Sequence, residues 1–308
     1  MTRRFDVVAL GEGLVEFNQT EPGKPNYLQG FGGDTSNAVI AAARAGARAA
    51  YLTRVGDDSF GGALLGLWRE EGVNADAIET EPGAPTGIYF VTHGAQGHEF
   101  SYRRAGSAAS LMTPQWLRDT GVQTINAAAI LHVSGISMAI SPSACDTVLA
   151  AMRLARQAGT RVSLDSNLRL KLWPLERARE AIASAIALSD LFLPSLEDLG
   201  PLTGITEPDA LLDWSHAAGA ASVVLKLGGD GAIASDGRRR ERIAGHRVPV
   251  TDATGAGDCF CGNLLARLTQ GETLFEAARW ANAAAALAVQ GFGAVAPLPR
   301  PAQVKALL

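Results

Sequence analysis

The sequence predicts an α/β fold in which helices cover a mostly parallel central sheet and a small second sheet lies beside it as a lid. From about residue 120 onward, short apolar runs alternate with longer helical stretches, which is the layout of a parallel sheet with crossover helices. The first third of the chain is different, and we expect its lid strands within about 12–30 and 86–105. Because the 308 residues contain no repeat or linker, we expect one domain over 1–308.

In the N-terminal third, glycine turns and the alternation of apolar and polar residues predict the strands and helices. The run FDVVALGEG at 5–13 predicts a strand that ends in a turn, and GGDTSNAVIAAARAGA at 32–47 predicts a glycine turn that enters a helix. Residues 14–30 are polar and broken by Pro and Gly. The segment at 86–104 alternates apolar and polar residues and is expected to turn around Gly94 to Gly97 as a β-hairpin. We expect these last two segments to pair.

The C-terminal half predicts repeated βα units, because each apolar run is followed by a capped or glycine-ended helical stretch. Beyond the last of these strands we expect two alanine-rich helices separated by Gly271. The predicted strands are 127–135, 161–165, 191–194 and 222–229, and the predicted helices are 142–158, 174–189, 256–270 and 273–289.

Composition excludes several classes of protein. Lys and Arg number 27 and Asp and Glu 31, so the formal charge of −4 argues against a nucleic-acid footprint. The three cysteines cannot form a closed disulfide framework, which predicts an intracellular, cytoplasmic setting. No stretch reaches the ~18 apolar residues of a membrane helix, and Asp6, Glu12 and Glu16 interrupt any signal-peptide core. The chain also lacks a dinucleotide fingerprint, a P-loop, a zinc-ligand spacing and a serine-hydrolase elbow.

The strongest local motif is TDATGAGDCFCGNLLARL at 251–268. Gly255, Ala256 and Gly257 have almost no side chains, so their backbone N–H groups can approach an anion at a helix start. Asp258 then lies in the first helical turn. It is either a carboxylate that complements the helix dipole or a general base beside a phosphate site.

A second motif is GFGGDTSNAVIAAARAGA at 30–47. Consecutive Gly32 and Gly33 let the backbone come close to a ligand, and the amide of Asn37 offers a donor and an acceptor to a polyol. The alternative interpretation is an ordinary glycine turn with an Asn near a helix start.

Together the two motifs resemble the PfkB, ribokinase-like family of carbohydrate kinases. Its early G-G-x-x-x-N element binds sugar, and its late D-T-x-G-A-G-D element carries the base and the anion hole. Here Ala253 replaces the usual Thr, whereas V-G-D-D-S-F-G at 55–61 and K-L-G-G-D-G at 226–231 also resemble family elements. The resemblance implies a three-layer α/β/α domain with a β-sheet lid, ATP and Mg²⁺ as cofactors, and Asp258 as catalytic base with Gly255, Ala256 and Gly257 as anion hole.

The resemblance also implies a nucleotide site. The loop at 226–231 would approach the nucleotide, and Asn167 and Arg169 in DSNLR would point toward the ATP phosphates. The family's N-x-x-E element, which is linked to magnesium, is replaced by PSLED, with Ser195 and Asp198 in the Asn and Glu places, so the metal ligands stay unassigned. The residues carried over to the nucleotide are Asn167, Arg169, Lys226, Gly228, Gly229, Gly231, Asn282 and the turn from Gly291 to Ala294; Asn282 could instead simply pack or face solvent.

Two segments narrow the class of sugar that the chain is expected to phosphorylate. They are FSYRRAGSAASLM at 100–112 and DSNLRLKLW at 165–173, and both resemble elements of 2-keto-3-deoxygluconate kinases. A tyrosine and an arginine offer a hydroxyl and a planar fork to a carboxylate, so Tyr89, Tyr102 and Arg104 are the implied substrate contacts. Arg103 and Arg104 could instead be a solvated pair at a hairpin end. The predicted reaction is phosphorylation of the 6-hydroxyl of 2-keto-3-deoxygluconate.

Three further points stay open at this stage. Glu16 stands where many relatives hold sugar hydroxyls with an acid, or it only charges the lid surface. A kinase for fructose or another ketose is the first alternative function, and a non-catalytic sugar-binding homologue is the second. The partners implied are a small sugar or sugar acid and ATP, without nucleic acid or membrane, and we expect a homo-oligomer through the lid.

Overall fold

A computed structural model describes residues 3–94 and 97–308. In this part of the chain, strands and helices alternate after the first hundred residues. The strands are β1 (Phe5–Leu10), β2 (Leu14–Gln19), β3 (Tyr27–Gly32), β4 (Ala49–Leu52), β5 (Arg54–Gly56), β6 (Glu79–Glu81), β7 (Ile88–Gly94), β8 (Gly97–Arg103), β9 (Ala128–Ser134), β10 (Arg161–Asp165), β11 (Leu191–Phe192), β12 (Ser222–Lys226), β13 (Gly231–Ser235) and β14 (Arg240–Ala244).

The helices are short to medium in length, and most begin at a side-chain cap or a proline, as Ser141 and Pro142 do together. Short 3₁₀ turns cover Ala108–Leu111 and Gly228–Asp230. The α-helices are α1 (Asp34–Arg44), α2 (Ser59–Glu70), α3 (Pro114–Thr120), α4 (Val122–Asn126), α5 (Gly135–Ala139), α6 (Pro142–Gln157), α7 (Leu175–Ile186), α8 (Leu196–Thr203), α9 (Pro208–Ala217), α10 (Ala256–Thr269), α11 (Leu274–Ala288) and α12 (Pro301–Leu307).

The central sheet has eight strands in the order β14-β13-β12-β11-β10-β9-β1-β4. The six strands from β12 to β4 pair in parallel, and β13 and β14 complete one edge with antiparallel pairing. Successive side chains of a strand point to opposite faces. In β1, Val8 and Leu10 therefore pack on the face covered by α6 and α7, while Val7 packs on the face covered by α1, α10 and α11.

The lid is a separate four-stranded sheet in the order β3-β2-β7-β8. Its centre is a parallel pair, β2 with β7, and each outer strand is the antiparallel partner of its neighbour. The two segments expected to pair therefore do so. Ala95 and Gln96, at the centre of the predicted hairpin turn, lie outside the described residues.

The predicted α/β class with a mostly parallel sheet and a small lid is confirmed. Several boundaries differ: the strand expected at 191–194 is limited to Leu191–Phe192. The expectation that only two helices follow the last parallel strand was wrong, because β13, β14 and α12 also form there. Helix α2 was not predicted. No helix in the described ranges is both long and apolar enough to cross a membrane.

Candidate active site

Five charged side chains meet at the carboxyl edge of the central sheet, which is where ligands bind in open α/β folds. Strands β10 and β12 end at this edge, and three of the aspartates lie in the first turns of α1, α8 and α10, where a carboxylate complements the helix dipole. All five are buried or nearly buried: Asp34, Asp165, Asp198, Lys226 and Asp258.

Asp258 is buried two residues inside the start of α10. The helix is entered through Gly255, whose φ of 75° is left-handed and whose position leaves no room for a Cβ against Ala294. Burial, followed by the charge of nearby Asp34, raises the pKa of Asp258 from 3.8 to about 7. At neutral pH the carboxyl group is therefore balanced between accepting and holding a proton.

Asn37 lies beside Asp258 and connects the early motif to the late one. Its Nδ2 donates to Oδ2 of Asp258 at 2.8 Å, across 221 residues of sequence. Its Oδ1 is buried and has no hydrogen-bond partner among the residues that the structure describes. Because a buried acceptor without a partner is costly, this oxygen fits a hydroxyl donor supplied by a ligand.

Gly32 and Gly33 precede α1, and the close approach they allow is to the protein itself. A Cβ on Gly32 would lie 2.4 Å from the Tyr89 hydroxyl, and one on Gly33 would lie 2.2 Å from the carbonyl oxygen of Glu12. Gly33 also has a φ of 99°. These glycines thus place Tyr89 and the start of α1 in the site; direct contact with sugar stays a prediction.

Asp34 and Asn167 form a buried hydrogen-bonded pair that the sequence did not predict. Asn167 donates from Nδ2 to Oδ2 of Asp34 at 3.0 Å. Its φ of 29° makes it the one non-glycine residue with positive φ in the described ranges, and such strain concentrates at functional sites. Burial raises the pKa of Asp34 above its ordinary value. The amide of Asn167, predicted to face ATP phosphates, is thus committed to an acid beside the base.

A row of side chains crosses the inner face of the lid. Glu16 on β2 lies opposite Gly30 on β3 and Tyr89 on β7, and Tyr89 lies opposite Tyr102 on β8. The Tyr89 hydroxyl donates to Glu16, and the two tyrosine rings stack at 5.6 Å. Burial raises the pKa of Glu16. A Cβ built on Gly293 would lie 3.5 Å from Oε1 of Glu16, so the buried Glu16 end of the row lies near the G-F-G-A turn, whereas Tyr102 is 39% exposed.

Arg104 is nearly buried and is held by Glu12. Its Nε donates to Oε2 of Glu12 at 2.7 Å, its Nη2 contacts the same oxygen, and Ser107 donates to the other carboxylate oxygen. The alternative of a solvated pair at a hairpin end is therefore wrong for Arg104, whereas Arg103 is exposed at the end of β8. The guanidinium is partly committed to the protein through Nε and Nη2, and Nη1 has no hydrogen bond to the residues that the structure describes, so it could donate to a ligand.

Arg169 is more exposed than Arg104, with 52% of its side chain accessible. Its Nη1 donates to the carbonyl of Leu168 at 2.8 Å and lies 3.7 Å from Asp198. Both Arg104 and Arg169 are near enough to Tyr102 to lower the pKa of its hydroxyl, although burial outweighs them and the pKa is raised. The two guanidinium groups therefore produce positive potential at the lid tyrosine.

Ser195 and Asp198, which stand in the Asn and Glu places of the family's N-x-x-E element, are both hydrogen-bonded within the protein. Ser195 caps α8 by accepting a hydrogen bond from the Asp198 N–H, and Asp198 accepts one from Ser166 at 2.7 Å. Burial and then Asp165 raise the pKa of Asp198. No group of three or more His, Cys, Asp or Glu in the described ranges is arranged to hold a metal ion.

The predicted nucleotide loop lies at the end of β12. Gly228 and Gly231 have positive φ, and Gly229 has open space around it. Lys226 is bound to Asp165. Asn282 donates to the Ala244 carbonyl at 2.9 Å and so fastens α11 to β14. The predicted adenine role of Asn282 stays a prediction.

Four residues of this site were not singled out from the sequence: Glu12, Asp34, Ser107 and Asp165. Two of them carried a usable signal. Glu12 and Asp165 are charged residues at or just beyond the carboxyl ends of predicted strands, the edge where parallel sheets bind ligands. The partners of Glu12 could not be read from spacing, because Arg104 is 92 residues away.

Comparison with known proteins gives a consistent family. The model of the pfkB family carbohydrate kinases matches residues 4–301. A 2-dehydro-3-deoxygluconokinase of Thermoproteus tenax is 36% identical over 99% of this chain and 94% of its own, and fructokinase-2 of Solanum habrochaites is 33% identical over 98% and 95%.

Solved structures agree with this match. The PfkB protein of Polaromonas sp. JS666 has a TM-score of 0.88 and 32% identity, covering 98% of this chain and 99% of its own. A candidate ribokinase II of E.coli, solved with ATP and Mg²⁺, has a TM-score of 0.90 and 25% identity, covering 98% of each chain.

Proposed function

The chain belongs to the pfkB family of carbohydrate kinases, and on that premise we propose that it transfers the γ-phosphoryl group of ATP to the 6-hydroxyl of 2-keto-3-deoxygluconate. The observation that carries the catalytic part is the pair formed by Asp258 and Asn37. A buried carboxyl group with a pKa of about 7 lies 2.8 Å from an amide whose other end is an unpartnered acceptor.

In the proposed reaction, Asp258 accepts the proton of the substrate hydroxyl. The hydroxyl oxygen forms a bond to the γ-phosphorus, the bond from that phosphorus to the bridging oxygen breaks, and ADP leaves with the electron pair. The backbone N–H groups of Gly255 and Gly257 would stabilise the oxygens of the transferring group, and the N–H of Ala256, which donates to the Ala253 carbonyl at 3.2 Å, would turn to the phosphate when it binds. Closure of the lid over the sugar excludes water and limits hydrolysis of ATP.

A magnesium ion fits this site when it arrives with the nucleotide. Mg²⁺ in phosphoryl-transfer sites is usually held by one or two carboxylates together with substrate phosphates. Asp198, a buried carboxyl group whose pKa is raised by burial and then by neighbouring Asp165, would hold it here, because the charge of the cation favours the ionised form. When bound, Mg²⁺ supplies positive charge to the β- and γ-phosphates. The loop with Lys226, Gly228, Gly229 and Gly231 would lie against the nucleotide.

The proposal that the substrate is a keto acid depends on positive charge at the lid. Arg104 and Arg169 both act on the Tyr102 hydroxyl, and a guanidinium group with a free N–H suits a carboxylate. The relative from Thermoproteus tenax is named for phosphorylating this sugar acid. Tyr89, Tyr102 and Arg104 would contact the substrate, with Arg169 as the more exposed cation.

Fructose is the second candidate, and one observation favours it. The charge of Arg104 is already compensated by Glu12, which weakens the case for an anionic substrate. Glu16, held by the Tyr89 hydroxyl, offers an acceptor to a neutral polyol. The relative from Solanum habrochaites is named a fructokinase.

The test is ADP release measured on 2-keto-3-deoxygluconate, fructose and a panel of neutral sugars, with Asp258→Asn as the control variant. We expect the highest kcat/KM on the keto acid and a loss of at least about 10²-fold in kcat for Asp258→Asn. A clear preference for fructose would assign the second candidate. ATP binding without turnover on any sugar would indicate a non-catalytic sugar-binding protein.

We also propose that two copies associate through the lid. Strand β3 is an edge strand of that sheet, and an exposed edge carrying apolar side chains is a site for pairing with another chain. Tyr27 and Leu28 on β3 are 37% and 66% exposed.

A further inference from the structure

Asp165 and Lys226 form a buried ion pair at the carboxyl edge of the sheet. Asp165 ends β10 and Lys226 ends β12, with β11 between them. The distance from Nζ to Oδ1 is 2.9 Å, and the two side chains are 12% and 4% exposed. Burying two charges is costly even when they pair, so such a pair is weak evidence for a role in stability.

The ammonium group of Lys226 lies against the first turn of α10. A Cβ built on Gly257 would be 3.5 Å from Nζ, and the Sγ of Cys261 is 3.7 Å from it. Burial opposes the charge of this lysine, but Asp165 outweighs burial, so its pKa is raised and it stays charged. A permanent positive charge thus sits beside the turn Gly255–Gly257.

Asp165 has both carboxylate oxygens committed. Oδ1 accepts from Lys226, and Oδ2 accepts from the thiol of Cys261 at 3.5 Å. His132, which also faces this pair, is buried and has its pKa lowered to about 4, so it is neutral near pH 7. The carboxylate is therefore engaged in holding the lysine.

We propose that Asp165 is a positioning residue that holds the ammonium group of Lys226 against the anion-hole turn, where it faces the transferring phosphoryl group. This inference rests on the proposed kinase reaction. The remaining buried carboxyl groups, Asp34, Asp198 and Asp258, would repel an incoming phosphate. A lysine on a flexible four-carbon stem can offset that repulsion only if its position is fixed, and Asp165 fixes it.

The test is a double-mutant cycle with Asp165→Asn, Lys226→Met and the double variant. We expect Lys226→Met to lower kcat by about 10²-fold, the loss that follows removal of one stabilising group. Asp165→Asn should lower kcat by at least about tenfold, because the ammonium group is then misplaced. KM for the sugar should change little. The double variant should be no slower than Lys226→Met, because Asp165 acts only through the lysine.

A second readout uses ADP with aluminium fluoride as a mimic of the transferring group. Wild-type protein with sugar present should bind ADP more tightly when aluminium fluoride is added. In Lys226→Met and Asp165→Asn, the ratio of the two affinities, which is the gain from aluminium fluoride, should fall by the same factor as kcat. Titration calorimetry measures both affinities.

The control is Glu71→Gln, which breaks a similarly buried 2.7 Å ion pair with Arg44 outside the site and should leave kcat unchanged. If Asp165→Asn does not fold, Asp165→Glu keeps the charge and displaces the lysine, and should lower kcat. Additive losses in the double variant would overturn the inference, as would unchanged kcat in a folded Asp165 variant. A wild-type protein without turnover on any sugar would instead overturn the proposed function itself.

Discussion

Asp258 is a residue whose environment, more than its type, decides its chemistry. A carboxyl group ordinarily ionises well below neutral pH and is then a weak base. Here burial and the charges of Asp34 and Asp165 raise its pKa to about 7, while the Asn37 hydrogen bond and Lys226 oppose the rise. A general base is most effective when its pKa lies near the working pH. The neighbouring acids therefore raise the pKa of the proposed base toward the pH at which it would work.

The first prediction is a pH profile. Because Asp258 must be ionised to accept a proton, kcat/KM should fall as the pH decreases through about 7. Replacing Asp34 by Asn removes a negative charge next to the base, so the pKa of Asp258 should decrease and the fall in rate should move to lower pH. Initial rates of ADP release across the pH range measure both profiles. A profile that keeps its midpoint in Asp34→Asn would contradict this interpretation.

The second prediction concerns stability. The pKa of Asp258 is higher in the folded protein than its ordinary 3.8, so the native state binds more protons than the unfolded state between about pH 4 and 7. Stability must therefore decrease as pH rises through that window. Asp258→Asn removes this loss of folding stability, which is at most about 1.4 kcal/mol for each unit by which the pKa of Asp258 is raised. We expect the variant to be more stable than wild type at pH 8 but not at pH 4 in urea unfolding; equal gains at both pH values would rule this out.

At the scale of elements, the junction of β3 and α1 positions the lid tyrosine. A Cβ on Gly32 would overlap the Tyr89 hydroxyl, which donates to Glu16. Gly32→Ala should therefore displace Tyr89 and raise KM for the sugar by about tenfold, the effect of losing one hydrogen bond to a charged group. Gly62→Ala is the control, since nothing lies within 4 Å of its Cβ position in α2. Steady-state kinetics measure KM for the sugar in both variants. Equal KM values in Gly32→Ala and Gly62→Ala would contradict the assigned contact between Tyr89 and the sugar.

The elements that could be predicted are those whose signal is local. The βα units after residue 120 carry their apolar runs and caps in consecutive residues, so their types followed directly from the sequence. Strands β13 and β14 were not predicted, because the burial of their side chains depends on the neighbouring strands at the edge of the sheet and not on a local sequence pattern. Helix α2 begins in V-G-D-D-S-F-G, where Asp58 caps the helix and also binds Thr86, and this motif was identified only as a family element.

The site shows the same division between local and long-range information. The base, the anion-hole glycines and Asn37 follow from compact motifs. The pairs that set their properties join distant segments: Arg104 with Glu12, Asn167 with Asp34, and Lys226 with Asp165. The cation or amide of each of these three pairs was expected to face a ligand, and in the structure it contacts an acid of the protein. Single-sequence spacing cannot reveal such pairs, because they depend on which strand ends become neighbours.

At the scale of the whole molecule, the net charge of −4 gives no strong field for anionic substrates, so binding depends on local groups and on closure of the lid. The lid meets solvent along β3, where Tyr27 and Leu28 are exposed. Leaving these side chains in water forgoes the free energy of burial, roughly 1.5–3 kcal/mol for a leucine. A second copy of the lid would recover that free energy and cover the edge strand.

The last prediction therefore concerns Leu28→Glu. A charge at the centre of a proposed apolar contact costs desolvation energy on both copies, so the variant should shift the protein from dimer to monomer at micromolar concentration. Leu308→Glu is the matched control, because Leu308 is 63% exposed and Leu28 66%, but Leu308 follows α12 and is not part of the lid sheet. Light scattering during size-exclusion chromatography gives both masses. A wild-type monomer would overturn the proposed dimer, and a dimer that both variants retain would place the interface outside the lid. If dimerisation also steadies the lid, Leu28→Glu should raise KM for the sugar while kcat stays unchanged, because the base and anion hole lie on the central sheet.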